Sequence, residues 1–233
     1  MADERDFSYI KRNLDELLGE LSYIAGNVGI MTPRLVCVTK SGDDEELLAL
    51  MRAGASDIGE NRPGEVKRRG ELLRLSGFEP RMHEIGTLQR NKIKLIIDTV
   101  SLVHSVDNIR LARDIDRLAG NIGRKIPVLI EVNSALEENK SGVAPDECER
   151  LLNEILPLTN IECKGLMTMG PPLDDPEGLR KYFRLTRKLF ERLHESYSFG
   201  DAPILSMGMS DSYKVAIEEG STLVRVGRRL FTK

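Results

Sequence analysis

Lys40 closes a short apolar run, Leu35-Val36-Cys37-Val38-Thr39-Lys40, of the β-prone kind. Side chains alternate along a strand, so Val36, Val38 and Lys40 share one face while Leu35, Cys37 and Thr39 share the other. If the first set points inward, Lys40 ends with an apolar stem and its amine at a strand terminus. Desolvation there favours the neutral, nucleophilic amine. Taken by position alone, a lysine that snorkels into solvent from an ordinary strand end outweighs that reading.

Two later stretches pair strand ends with small residues. Ser206-Met207-Gly208-Met209-Ser210 and Arg225-Val226-Gly227-Arg228 both run from an apolar segment into a helical one. Glycine lets backbone approach an anion, and the free N–H groups that open a helix bind it. The competing reading makes Gly208 and Gly227 plain turn residues and Ser210 an N-cap; the occurrence of two such loops in succession favours phosphate. Arg225 lies inside an apolar strand, where a guanidinium needs a ligand or a carboxylate to meet it.

Weaker polar positions are Asn61 at the end of a second strand, His83 within a third, and Asn133 beside Lys140-Ser141-Gly142. Each is also explained as a satisfied polar group near a loop. His104 reads as structural and His194 as exposed. Met167, Met169, Met207 and Met209 read as core filler, and Lys67-Arg68-Arg69 as a solvated helix face. Walker A, GxSxG and GxGxxG patterns do not occur.

The elements that must position these residues alternate. A helix is expected over 4–25, then strands at 35–40, 56–60, 81–86, 101–106, 127–133, 161–169, 204–208 and 222–227. Helical stretches follow each strand, at 45–52, 65–75, 91–98, 108–119, 145–156 (with Pro145 in its first turn), about 179–197, 211–219 and 228–231. Eight such units within a 233-residue chain predict a single-domain (β/α)8 barrel over 1–233, with an extra N-terminal helix (about 1–30) packed outside. An open doubly wound sheet is the main alternative. In a barrel the chemistry belongs at the C-terminal strand ends, with phosphate at the loops after strands seven and eight.

Composition removes several function classes. Lys plus Arg number 34 against 37 Asp plus Glu, a formal charge of −3, and aromatics are 5% with no Trp. That balance argues against a nucleic-acid binder, which carries a basic patch or a stacking platform. The three cysteines and three histidines have neither disulfide nor metal-site spacing, so no metal is expected. No apolar run reaches the ~18 residues of a membrane span. The opening MADERDFSYIKRN lacks an apolar signal region. A reducing cytoplasmic location is the simplest expectation.

A strand-one lysine combined with a phosphate site at strands seven and eight points to pyridoxal 5′-phosphate (PLP) in a barrel of the alanine-racemase type. The chain resembles the pyridoxal-phosphate homeostasis protein family, related to the N-terminal domain of alanine racemase, over nearly its whole length. The resemblance rests on Val38-Thr39-Lys40, Ile58-Gly59-Glu60-Asn61, His83-Glu84-Ile85-Gly86, Leu88-Gln89-Arg90-Asn91-Lys92, His104-Ser105-Val106-Asp107, Lys140-Ser141-Gly142-Val143, Gly165-Leu166-Met167-Thr168, Ser206 to Ser210, and Gly220 to Gly227, in this order. It implies that Lys40 forms the Schiff base with the cofactor. Ser210 and the Gly227–Arg228 backbone cradle the phosphate, with Ser206 nearby. Arg225 faces the pyridine nitrogen, and Asn61 and His83 line the pocket. Three places depart from the family pattern: Glu84 stands where an aromatic is usual, Arg62-Pro63-Gly64 follows Asn61, and Arg228 stands where Thr is usual, its charge available to the phosphate instead.

Two functions fit that resemblance: a PLP-binding protein of intracellular vitamin B6 and amino-acid homeostasis without robust catalysis, and a PLP-dependent amino-acid racemase. An arginine at the ring nitrogen donates a hydrogen bond but takes no proton, which leaves the ring a weaker electron sink. Racemisation then needs a base on each face. In alanine racemases the second is a tyrosine supplied with help from a second, β-rich domain, which this sequence lacks, and none of its five tyrosines falls at an expected strand end. Binding is therefore favoured over catalysis. The expected partners are PLP itself and apo-enzymes that use it, with no nucleic acid and no membrane, on a monomer. A more distant reading is a cofactor-free barrel enzyme acting on a phosphorylated metabolite.

Overall fold

The computed structural model describes residues 5–138 and 140–233. Eight parallel strands close on themselves in sequence order: β1 (Arg34–Val38), β2 (Asp57–Glu60), β3 (Arg81–Glu84), β4 (Val100–Val106), β5 (Ile126–Glu131), β6 (Ile161–Met167), β7 (Ile204–Ser206) and β8 (Leu223–Val226). The expected barrel is observed, and the open sheet is excluded by the β1–β8 pairing, Val36 opposite Arg225.

Side-chain alternation splits the core into two layers. Val36, Leu102, Leu129, Met167, Ile204 and Leu223 fill the barrel interior. Neighbours such as Cys37, Ile58, Met82 and Val224 face outward to a larger apolar layer under the helices. Helices α2 (Asp44–Arg52), α3 (Pro63–Leu75), α4 (Ile109–Gly120), α5 (Cys148–Ile155), α6 (Arg180–Tyr197), α7 (Tyr213–Glu218) and α8 (Arg228–Phe231) cover it. Asp43 and Glu46 close a reciprocal capping box on α2, and Asn108 caps α4. The extra helix α1 (Ser8–Val28) buries Ile10, Leu14, Leu17 and Leu21 against the neighbouring α2, α7 and α8. The sequence reading starts this helix at Glu4, which lies outside the described residues.

Two expected helices are shortened. After β3 the chain makes only a 3-10 turn, Arg90–Leu95. The Val100 amide bonds the Ile96 carbonyl at 2.7 Å, so β4 begins before a further helical turn fits. Pro145 sits in a turn, and α5 starts three residues later at Cys148. Among the described residues no helix is long and apolar enough to cross a membrane.

Candidate functional site at the barrel mouth

β1 stops pairing at Thr39, whose amide bonds the Gly59 carbonyl at 3.2 Å. The Gly42 amide then returns to the Thr39 carbonyl at 3.0 Å and closes a four-residue turn that carries Lys40. Val36 points inward as expected, yet Lys40, beyond the strand, is exposed rather than desolvated. It shares a groove of about 360 Å³ with Ser41, Glu60, Asn61, Arg62, Glu65 and Arg69. Lys40 and Asn61 are thus brought together, each just past its strand.

Beyond β7 and β8 the backbones converge. Gly208 has φ +93°, and a Cβ there would lie 2.5 Å from the Ala216 methyl. A Cβ on Gly227 would lie 2.8 Å from the Val38 carbonyl oxygen, so this turn packs against the end of β1. The Gly227 amide donates to Ser210 Oγ at 3.3 Å, joining the two loops. Arg228 is exposed and its guanidinium is ion-paired with Asp211. The charge expected to serve a phosphate is thus paired with a carboxylate of the loop after β7.

Arg225 is 4% exposed. Its Nη2 donates to the Thr168 carbonyl at 3.0 Å and its Nη1 to Ser206 Oγ. No carboxylate among the described residues is within ion-pair distance of it, although the Glu131 charge acts on it from farther off. Burial lowers its pKa to about 10, so it is charged at neutral pH. A buried guanidinium held only by neutral acceptors is costly unless something else completes its shell.

Ser206 and His83 belong to a chain of hydrogen bonds that runs through the barrel. Both are fully buried within the barrel. Ser206 Oγ lies 3.0 Å from His104 Nδ1, His104 Nε2 lies 2.9 Å from His83 Nδ1, and His83 Nε2 lies 3.0 Å from Asp57 Oδ1. The hydroxyl and both rings are used up inside this chain, which ends where Arg34 and Arg81 hold Asp57 at 2.5 and 2.6 Å. Burial pushes the Asp57 carboxyl up, but hydrogen bonds from Arg81, His83 and Ser56 outweigh it and hold it far below the usual range. Burial lowers both histidines, His104 further, with the neighbouring cations adding to the effect.

Other positions are reassigned by their contacts. The Asn133 side chain clips the loop after β5, donating to the Glu137 carbonyl at 2.8 Å and accepting from its amide at 3.1 Å. Ser141 donates to the buried Glu131 at 3.0 Å. His194, expected to be exposed, is half-buried and stacks against both Phe190 and Phe199, which also stack on each other. Met167 and Met207 are core residues, but Met169 and Met209 are exposed. Arg69, expected on a solvated face, is buried at 6% exposure. Sequence reading missed the contacts that Asp57, Thr168 and Arg69 make with Ser206, His83, Arg225 and the Lys40 turn, directly or through His104, and left His104 a bland structural role. For Thr168 and His104 the motifs Gly165 to Thr168 and His104 to Asp107 were the available signal.

Residues 13–232 match the family model described as alanine racemase, N-terminal domain. The chain is 40% identical over 198 residues to a protein of Aquifex aeolicus named pyridoxal phosphate homeostasis protein, covering 85% of this chain and 86% of that one. The chain is a member of the pyridoxal phosphate homeostasis protein family, built on the alanine racemase N-terminal domain. Two solved structures of this fold align over almost their full lengths. An unknown protein from Bifidobacterium adolescentis is 34% identical with a TM-score of 0.89, covering 99% of this chain and 98% of that one. PipY of Synechococcus elongatus, solved with PLP bound, is 27% identical with a TM-score of 0.84, covering 96% of this chain and all of that one.

Proposed function

We propose that this family member binds PLP at the C-terminal mouth of its barrel, with Lys40 bonded to the cofactor aldehyde, and serves intracellular vitamin B6 and amino-acid homeostasis without robust turnover. The observation that carries the reading is Arg225: a buried cation below that mouth whose guanidinium, among the described residues, is hydrogen-bonded only to Ser206 and the Thr168 carbonyl. A pyridine nitrogen is a neutral acceptor that completes such a shell without asking the guanidinium to give up its proton. The relatives' names and the ligand of PipY support the same assignment.

In this reading Arg225 orients the ring, the Ser210 hydroxyl and the Gly227–Arg228 backbone amides receive the phosphate, Asn61 lines the entrance, and Lys40 supplies the amine. When bound, PLP supplies an aldehyde that captures amines and a ring that withdraws electrons from them. Arg225 opposes that withdrawal, because it keeps the ring nitrogen unprotonated. The five tyrosines lie on helices: Tyr9 and Tyr23 on α1, Tyr182 and Tyr197 on α6, Tyr213 on α7. None stands at a strand end as a second base. Apo-enzymes that need the cofactor are the proposed recipients, in the cytoplasm, and the proposed state is a monomer, which light scattering tests.

Borohydride reduction of the protein mixed with PLP, followed by peptide mass mapping, tests the assignment. The expected adduct is on Lys40, absent from Lys40→Ala. An adduct on another lysine, or an unchanged cofactor spectrum in Lys40→Ala, overturns it.

A further inference from the structure

The turn from Thr39 to Gly42 is held from beneath by a residue of another element. Arg69, on α3, has a side chain only 7% exposed. Its Nη1 donates to the Thr39 carbonyl at 2.6 Å, and its Nη2 to the Gly42 carbonyl at 2.8 Å. One planar guanidinium thus grips the first and last carbonyls of the turn that carries Lys40, a fork that a lysine ammonium cannot reproduce.

The grip is itself anchored. Glu60, the last residue of β2, accepts from Arg69 Nη1 at 2.9 Å and from the Thr39 hydroxyl. Its carboxylate neutralises the buried cation and ties the fork to the strand beside Lys40. On the far side of the turn a Cβ on Gly42 would lie 2.6 Å from the Phe231 ring, so the turn has no room to retreat. The Lys40 side chain itself is exposed and lines the groove to which Arg69, Glu60 and Asn61 also contribute. Backbone freedom at Lys40 is removed while its amine stays accessible.

We infer that Arg69 is the positioning residue for Lys40: it fixes the origin of the lysine side chain, and hence the encounter between its amine and an aldehyde held in the barrel mouth. The inference rests on the proposed role of Lys40. In the step concerned, the neutral amine adds to the aldehyde carbon, a C=N bond forms and water leaves. Added borohydride then supplies the hydride that makes the attachment permanent.

Two ligands separate positioning from general damage. Pyridoxine 5′-phosphate has the ring and the phosphate but no aldehyde, so its affinity reports the pocket without Lys40. The rate of covalent capture of PLP reports the pocket and Lys40 together. Arg69→Lys keeps a cation facing Glu60 and loses the fork. The double variant Arg69→Gln with Glu60→Gln removes both charges together, in case the single variant folds poorly. The expected result is unchanged affinity for pyridoxine 5′-phosphate with capture slowed by about ten- to a hundredfold, the scale of a misplacement near 1 Å. Equal capture rates in wild type and both variants overturn the inference about Arg69. So does a parallel loss of pyridoxine 5′-phosphate affinity, which would mean that the pocket has collapsed. Wild-type capture on a lysine other than Lys40 overturns the underlying reading of the site instead.

Discussion

Nδ1 of His83 and Nε2 of His104 face each other at 2.9 Å in the interior of the barrel, and only one arrangement of hydrogens satisfies both rings. Asp57 is ionised and can only accept, so His83 must donate to it from Nε2. A neutral His83 then offers a lone pair at Nδ1, and His104 donates into it from Nε2. The Nδ1 of His104 in turn accepts from the Ser206 hydroxyl, whose oxygen accepts from Arg225. Every donor from Arg225 to Asp57 points the same way, and the chain joins the cation at the mouth to the Arg34–Asp57–Arg81 cluster at the opposite end.

That directionality predicts that both buried histidines hold their neutral form to a lower pH than an ordinary imidazole does. Long-range nitrogen–proton correlation spectra of the histidine-labelled protein should show both as the Nε2–H tautomer at neutral pH. The folded pKa of each is below the ordinary 6.5, so the unfolded chain binds the extra protons. Stability is therefore full above about pH 6.5 and is lost as pH falls, by up to about 1.4 kcal/mol per pH unit for each histidine. A charged ring at neutral pH, or the Nδ1–H tautomer at either histidine, contradicts this chain.

Glu84 provides an opposite pH effect. Its carboxyl is fully buried, Oε1 accepts the Gly86 amide at 3.0 Å, and Oε2 has no partner. Burial, opposed by that amide and reinforced by the charge of Glu60, raises its pKa to about 8. Between pH 4.5 and about 8 the folded state keeps a proton that the unfolded chain has lost. This contribution is therefore full below pH 4.5 and drains away as pH rises, at no more than about 1.4 kcal/mol per pH unit. Glu84→Gln, with the same shape and no charge to bury, should melt progressively above wild type as pH goes from 5 to 9. Parallel melting curves would show that Glu84 is ionised and satisfied.

The barrel was legible because its signal is repetitive: eight apolar runs, each with a helical stripe after it, outvote an error at any one boundary. That Lys40, Asn61, Ser210 and Gly227 stand beyond strand ends was legible for the same reason, since each follows one of those runs. Contacts between distant strands were not. Nothing near Ser206 in the chain announces that its hydroxyl lies between His104 and Arg225, which stand 102 and 19 residues away. Arg69 was misread because a charge run on a helix usually faces water. Here Lys67 and Arg68 do, and the third residue of the run turns under the barrel rim to Thr39 and Gly42.

Ser210 joins the loops after β7 and β8 by accepting the Gly227 amide. In the proposed complex its hydroxyl also meets the cofactor phosphate. Ser210→Ala is expected to weaken PLP binding by about 1–2 kcal/mol, the scale of a hydrogen bond to a charged group. Pyridoxal, which lacks the phosphate, should lose less. Titration of both ligands into both proteins checks this, and equal losses would place Ser210 away from the phosphate.

The choice between binder and racemase turns on Arg225. Its pKa of about 10 leaves it protonated at working pH, able to donate to a ring nitrogen but not to protonate it. Without a positive ring, a carbanion at the α-carbon of an amino acid gains little stabilisation. Wild type loaded with PLP should therefore exchange the α-hydrogen of alanine negligibly in deuterium oxide. Arg225→Glu places a buried carboxyl at the same depth, within the field of Glu131, and burial with a like charge favours a protonated carboxyl able to pass a proton to the ring. That variant should show measurable exchange. Proton NMR of the alanine α-signal follows both reactions. Fast exchange and racemisation by wild type, near the ~10 s⁻¹ typical of enzymes, would replace the homeostasis reading with a racemase.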